Sequence, residues 1–290
     1  MMDYSKFCTI LNKHIFEGEK RELLKQLAYS PERFIGLFRP SKPGTKVLQY
    51  LLQSHEIRFG DALEELIEEI LKDLGYSILN KRITTTEGEE LFLDQFFTDG
   101  EKYYFIEQKI RDDHDSTKKR GQMANFEAKL EKLFSVYNNK LVGIMYFIDP
   151  DLGKNKNFYM EELKSLRDYY KTPLHLFYGK ELFEFLKASD YWENLLNWLT
   201  EWKQSLPDIP EIDFDKHPQK SFEEIKDLEI RYWRRLLENE KLWKEGIIKA
   251  IFKTGETLEL ILEYFTNQES APYQNLSILL QKRLNEYYSR

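Results

Sequence analysis

From Phe59 onward, apolar positions recur at helical spacing. Ala62, Leu63, Leu66, Ile67, Ile70, Leu71 and Leu74 form one stripe, and Gly75 follows as a stop signal. The pattern then changes to strands. YSILNKRI (76–83) reads as one strand, and Thr86–Glu90 turns the chain into LFLDQFF (91–97). Asp99-Gly100 predicts a two-residue hairpin turn, with KYYFIEQKI (102–110) as the return strand. Ser116 or Thr117 caps a helix over roughly 122–137, and KLVGIMYFI (140–148) is a buried strand. A helix (158–170), a strand (173–179) and a short helix (180–187) come next. The resulting α-β-β-β-α-β order predicts an α/β fold, a mixed sheet with helices on both faces.

The flanks read differently. Residues 1–30 predict one or two short helices, followed by the Pro/Gly/basic loop SPERFIGLFRPSKPGTKV and a helix near Lys46–Ser54. Three prolines in SLPDIPEIDFDKHPQK predict a linker, and everything after Ser221 reads as helical. The expected organisation is an N-terminal helical and basic region (1–58), a core (59–206), a linker (207–220) and a C-terminal helical subdomain (221–290). No internal repeat stands out.

Composition narrows the class. Of 290 residues, 41% are apolar and 32% charged, which predicts a folded chain with a sizeable core. Mean hydropathy is -0.61. No apolar run approaches a membrane span, and the first twenty residues lack the pattern of a secretory signal. The single Cys8 excludes disulfides within the chain and Cys-based zinc ribbons, and it reads as an inert apolar filler. A cytoplasmic protein is expected. The net charge of -7 argues against a simple polycation, yet residues 1–60 hold ten Lys/Arg against six Asp/Glu. A local basic cleft remains compatible with DNA binding.

Candidate chemistry sits on the hairpin. With Asp99 and Gly100 as the loop, Thr98 pairs with Glu101, Phe96 faces Tyr103, and Asp94 faces Phe105. Strand alternation then places Asp94 on one face with Glu107 and Lys109. Asp94 and Glu107 are expected as diagonal neighbours, roughly 7–8 Å apart at the backbone. Carboxylates so placed can converge on one hard cation, at about 2.0–2.1 Å for Mg²⁺. The flanking strand residues are apolar on both faces until Glu107, so the charges enter at the strand end, where open α/β sheets place ligands.

An Asp, a hairpin and then Glu107-Gln108-Lys109, within an α-β-β-β-α-β order, resemble the PD-(D/E)XK nuclease superfamily over roughly 59–186. Type II restriction endonucleases are its largest DNA-cleaving group. The resemblance implies a restriction-endonuclease-like core, with Asp94 and Glu107 as metal ligands and Lys109 as catalytic lysine. The residue before Asp94 is Leu93 instead of the family's variable proline. Glu64 matches the auxiliary acid of the first helix, although Glu65, Glu68 and Glu69 crowd it. The helical stretch LEIRYWRRLLENEKLWKEGIIKAI faintly resembles the HindIII subgroup. The activity that the resemblance implies is Mg²⁺-dependent, site-specific hydrolysis of double-stranded DNA by a homodimer, paired with a cognate DNA methyltransferase. A repair or recombination nuclease of the same superfamily, or a non-catalytic DNA-binding protein with this fold, is the rival reading.

Arg111, Lys118, Lys119 and Arg120 lie between the hairpin and the next helix and are candidate phosphate contacts. Gln122 and Asn125 open that helix in this reading and are candidate base readers. Arg33, Arg39, Lys42 and Lys46 form a second candidate backbone contact. Tyr191, Trp192, Leu195, Leu196 and Leu199 read as core, and Tyr232, Trp233, Leu236 and Leu237 as core or a dimer face.

Overall fold

The computed structural model describes every residue except 1, 37, 39, 85–87, 89, 211 and 290. Arg39 therefore lies outside the described residues, as does most of the turn expected at Thr86–Glu90. The chain opens with helices α1 (Tyr4–Phe16), α2 (Glu19–Tyr29) and α3 (Pro43–Asp73). Strands β1 (Ser77–Ile78), β2 (Arg82–Thr84), β3 (Glu90–Phe92), β4 (Gln95–Thr98) and β5 (Tyr103–Lys109) come after them. Next are α4 (Ser116–Tyr137), β6 (Leu141–Phe147), α5 (Lys156–Tyr170), β7 (Leu174–Tyr178), α6 (Glu181–Phe185) and α7 (Ser189–Gln204). The remainder is helical: α8 (Pro218–Ile225), α9 (Ile230–Glu238), α10 (Glu240–Lys244), α11 (Ile247–Ile251), α12 (Glu256–Thr266) and α13 (Ala271–Tyr288).

Two compact units result. Met1–His14 and Phe59–Leu206 form the first; Ile15–Arg58 and Pro207–Arg290 form the second. The N-terminal stretch that the sequence reads as one region is thus shared between them. The two helices expected near 46–54 and 59–74 are one helix, α3, which runs through Gly60. A single helical glycine costs only about 1 kcal/mol, too little to break a helix whose apolar stripe continues on both sides.

The first unit holds the expected mixed sheet, in the order β1-β4-β5-β6-β7. β1, β4 and β5 are antiparallel neighbours, whereas β5, β6 and β7 run parallel. Met123, Phe126, Leu130 and Leu133 of α4, with Tyr159 and Leu163 of α5, cover the face that carries Phe105, Met145 and Phe147. Gly143 of β6 is required here, because a Cβ would stand 2.7 Å from both Leu174 and Phe105. Among the described residues, no helix is long and apolar enough to cross a membrane.

Two strand expectations change. YSILNKRI and LFLDQFF each split: β1 and β4 join the main sheet, while β2 and β3 pair with each other in a two-stranded sheet. Asp94 occupies the bend between β3 and β4. The hairpin loop is also longer than two residues, since Thr98 pairs with Tyr103. Asp99 causes this. Its Oδ1 accepts from Glu101 N at 2.9 Å and Lys102 N at 2.8 Å, and its Oδ2 accepts from the Tyr104 hydroxyl at 2.7 Å. These bonds hold residues 99–102 as a four-residue loop, with Gly100 at φ 95°.

In the second unit Trp233, Leu236 and Leu237 join a helical core with Phe214, Ile261 and Phe265. Phe214 and Asp215, inside the expected linker, are buried. Asp215 accepts from the backbone of Thr254, Gly255 and Thr257, so the end of that segment is part of the packed unit. In the first unit Trp192 and Leu195 are buried as expected, but Leu196 is exposed. Cys8 is half-buried and free.

Candidate active site

The two-residue change in register keeps the face of every side chain, because the side-chain period along a strand is also two. Continued one residue past the Gln95–Ile106 pair, the observed register sets Asp94 level with Glu107 where the expected one set it diagonally. The consequence is visible at Lys109. Its Nζ lies 2.9 Å from Asp94 Oδ2 and 2.9 Å from Glu107 Oε1. It also donates to Gln108 O at 2.7 Å, and Gln108 N donates to Asp94 Oδ2 at 2.7 Å. One cationic nitrogen thus touches both carboxylates.

Exposure is graded across the three side chains: 3% for Glu107, 15% for Asp94 and 29% for Lys109. The cluster is closed at Glu107 and opens at Lys109. Burial pulls the Lys109 amine down, but the charges of Glu107 and Asp94 and their hydrogen bonds outweigh it. The net shift is upward, and Lys109 is an ammonium.

Glu64 separates from its acidic neighbours. Glu65 pairs with His14, Glu68 with Lys72 and Lys81, and Glu69 with Lys6 and Lys72. Glu64 instead feels burial first and the negative charge of Asp94 second, and its carboxyl is pushed up to about 7. Gln95 fixes α3 here, its amide donating to Glu64 O at 2.7 Å. Crowding of negative charge around oxygen donors suits a hard divalent cation. Among the described residues, no three His, Cys, Asp or Glu side chains form a ready ligand cluster. The two carboxylates that Lys109 bridges are Asp94 and Glu107, and Glu64 carries its charge beside Asp94.

Helix α4 departs from the sequence reading. It begins at Ser116, and its cap is Asp115, whose carboxylate accepts from Lys118 N at 2.9 Å. That bond holds the Asp115 carboxyl below its ordinary range. Lys118, Lys119 and Arg120 thus occupy the first turns of the helix. Lys118 and Arg120 are exposed, whereas the Lys119 ammonium sits 4.5 Å from the centre of the Phe158 ring. Arg111 is exposed on the connecting segment.

Gln122 and Asn125 do not open the helix; they lie further along it and face inward. The Tyr159 hydroxyl donates to Gln122 Oε1. Asn125 Nδ2 donates to Glu107 Oε1 at 3.2 Å, so its amide is part of the carboxylate cluster. One turn on, Lys129 pairs with Glu107 Oε2. Lys129 is a site residue that the sequence reading missed. It belongs to the apolar stripe of α4 and has no acid three or four residues away, so its partner had to come from another element.

The segment after β5 is rigidly held. Buried Asp112 accepts from Asn155 N and Nδ2 and from the Tyr178 hydroxyl, at 2.8, 2.8 and 2.9 Å. In the second unit, Arg33 and Lys46 line a cleft with Phe34, Tyr50, Gln53 and Ser54. Lys42 is exposed.

A family model described as type II restriction endonuclease, HinfI, matches residues 3–89 and 78–203. The matched stretch contains α3, the whole sheet, α4 and the Asp94–Glu107–Lys109 cluster. It ends before the C-terminal helices. No curated protein matches the chain. The chain belongs to the HinfI family of type II restriction endonucleases, nucleases that hydrolyse the phosphodiester bonds of DNA.

Proposed function

We propose that this endonuclease cuts duplex DNA at one short sequence, with Mg²⁺ held by Asp94 and Glu107. The observation that carries the reading is the single Lys109 nitrogen 2.9 Å from both carboxylates, which marks their convergence on one cation-sized point. When bound, Mg²⁺ would lower the pKa of a ligated water and offset charge on the scissile phosphate. The protein's own residues do the rest. Asp94, fixed by the Gln108 N–H, and Glu107, fixed by Asn125 and Lys129, present oxygens in a set geometry. Lys109, at the open end of the cluster, supplies positive charge where the phosphate enters. Glu64 is an auxiliary acid beside the pair.

Double-stranded DNA is the substrate of the family. In this reading Arg111, Lys118, Lys119 and Arg120 hold its backbone. Replacing Lys118 or Arg120 by alanine should weaken binding to all sequences alike. Each should also flatten the slope of log affinity against log salt by about 0.9. Lys119→Ala should change the slope less, because that ammonium already rests on Phe158. Filter binding across a salt series measures this; an altered cleavage sequence would mean that these residues read bases. Two strands require two cuts, and palindromic sites match two-fold proteins, so the working unit is a homodimer. A cognate DNA methyltransferase completes the restriction-modification system.

Incubation with phage DNA tests the whole reading in one gel. Discrete fragments with Mg²⁺ and intact DNA in EDTA are expected. A continuous smear would point to a nuclease without a recognition site, and fragments in EDTA would remove the metal.

A further inference from the structure

Lys129 is an unusual neighbour for a metal ligand. Its side chain is 4% exposed, and that of Glu107 is 3% exposed. It sits on the stripe of α4 that carries Met123, Phe126, Leu130 and Leu133, so its ammonium has been taken out of water beside Glu107 Oε2. An ammonium so enclosed is costly unless paired. Lys109 differs, being 29% exposed and on the open side of the cluster. Lys109 borders solvent, and Lys129 is enclosed.

Among Asp94, Glu107, Lys109 and Lys129 the formal charges balance, two carboxylates against two ammoniums. Glu64, pushed up to about 7, adds one negative charge beside Asp94 only above that pH. A divalent cation arriving at Glu107 Oε1 can displace Lys109, but it meets a fixed positive charge on the far oxygen of the same carboxylate. We propose that Lys129 is a positioning residue whose fixed charge keeps the Asp94–Glu107 pair a poor cation site until an anionic DNA phosphate joins it. The inference rests on the metal role proposed above for these two carboxylates. Metal and DNA then bind as a coupled pair, each raising the affinity for the other by the same factor.

The test is a Mn²⁺ titration of the DNA-free protein by isothermal calorimetry, at one mildly alkaline pH. Lys129→Met removes the charge at nearly constant length. Lys129→Gln removes it while keeping a donor toward Oε2, and carries the test if the methionine variant fails to fold. Lys129→Arg keeps the charge. Both neutral variants should bind Mn²⁺ at least tenfold more tightly than wild type, which is about 1.4 kcal/mol or more. The arginine variant should stay within about threefold of wild type. The gain should vanish when Glu107→Gln is added. In Ca²⁺, the neutral variants should show a smaller metal-dependent rise in duplex affinity than wild type. Neutral variants that bind Mn²⁺ no more tightly, or an arginine variant that gains as much, would overturn the role of the Lys129 charge. A gain that survives Glu107→Gln would put the cation elsewhere and overturn the reading of the site itself.

Discussion

Replacing Asp94 by alanine is expected to slow single-turnover cleavage by about three orders of magnitude or more, with the protein still folded. Asp94 accepts from Gln108 N and Lys109 Nζ. Losing those bonds from a 15% exposed side chain should cost about 1–2 kcal/mol of stability. The cost to the reaction is larger. As a proposed ligand of the metal, Asp94 acts on the reaction through the charge of that ion, which contributes several kcal/mol in the transition state, and each 1.36 kcal/mol is tenfold in rate. If Asp94 were merely an ion-pair partner, the rate would fall only with the folded fraction. Thermal melting beside single-turnover cleavage separates the two cases. Near wild-type cleavage by this variant would sink the assignment.

Lys109→Ala should fail differently. In the proposed mechanism the amine, kept charged by Glu107 and Asp94 at the open end of the cluster, acts on the phosphate by its charge and not as a proton acceptor. An interaction made chiefly as the transition state forms changes rate far more than affinity. Cleavage should drop by about 100- to 1000-fold, while duplex affinity in Ca²⁺ stays within a few-fold of wild type. Gel-shift titrations in Ca²⁺ and single-turnover rates in Mg²⁺ supply the two numbers. Lost binding with an unchanged rate would remove Glu107-Gln108-Lys109 as the catalytic strand.

What the sequence made legible was parity. The alternation along LFLDQFF and KYYFIEQKI put Asp94, Glu107 and Lys109 on one face, and that survives the altered register because the shift is even. The register itself was hidden in a side chain: Asp99 ties down two backbone N–H groups and lengthens a loop that Asp-Gly alone predicts as tight. The break at Asp94 left no mark either, since the apolar alternation runs through it while β3 and β4 go to different sheets. Capping of α4, expected at Ser116 or Thr117, was misplaced by one or two residues because Asp115, Ser116 and Thr117 are all good caps. Taking Gln122 and Asn125 as the opening of the helix made them candidate base readers; with the helix starting at Ser116 they lie further along it, and Asn125 and Lys129 bond Glu107. Glu64 could not be told from Glu65, Glu68 and Glu69 without knowing which of them had lysine or histidine partners.

The proposed mechanism turns on Asp94 and Glu107 converging on one catalytic cation. Crystals of the protein soaked in Mn²⁺ with a bound DNA duplex test this directly through the anomalous difference map. A peak is expected between Asp94 Oδ2 and Glu107 Oε1, with Lys109 Nζ moved off that point toward the scissile phosphate. Lys109 still seated between the two carboxylates, with the manganese peak at another cluster, would contradict it.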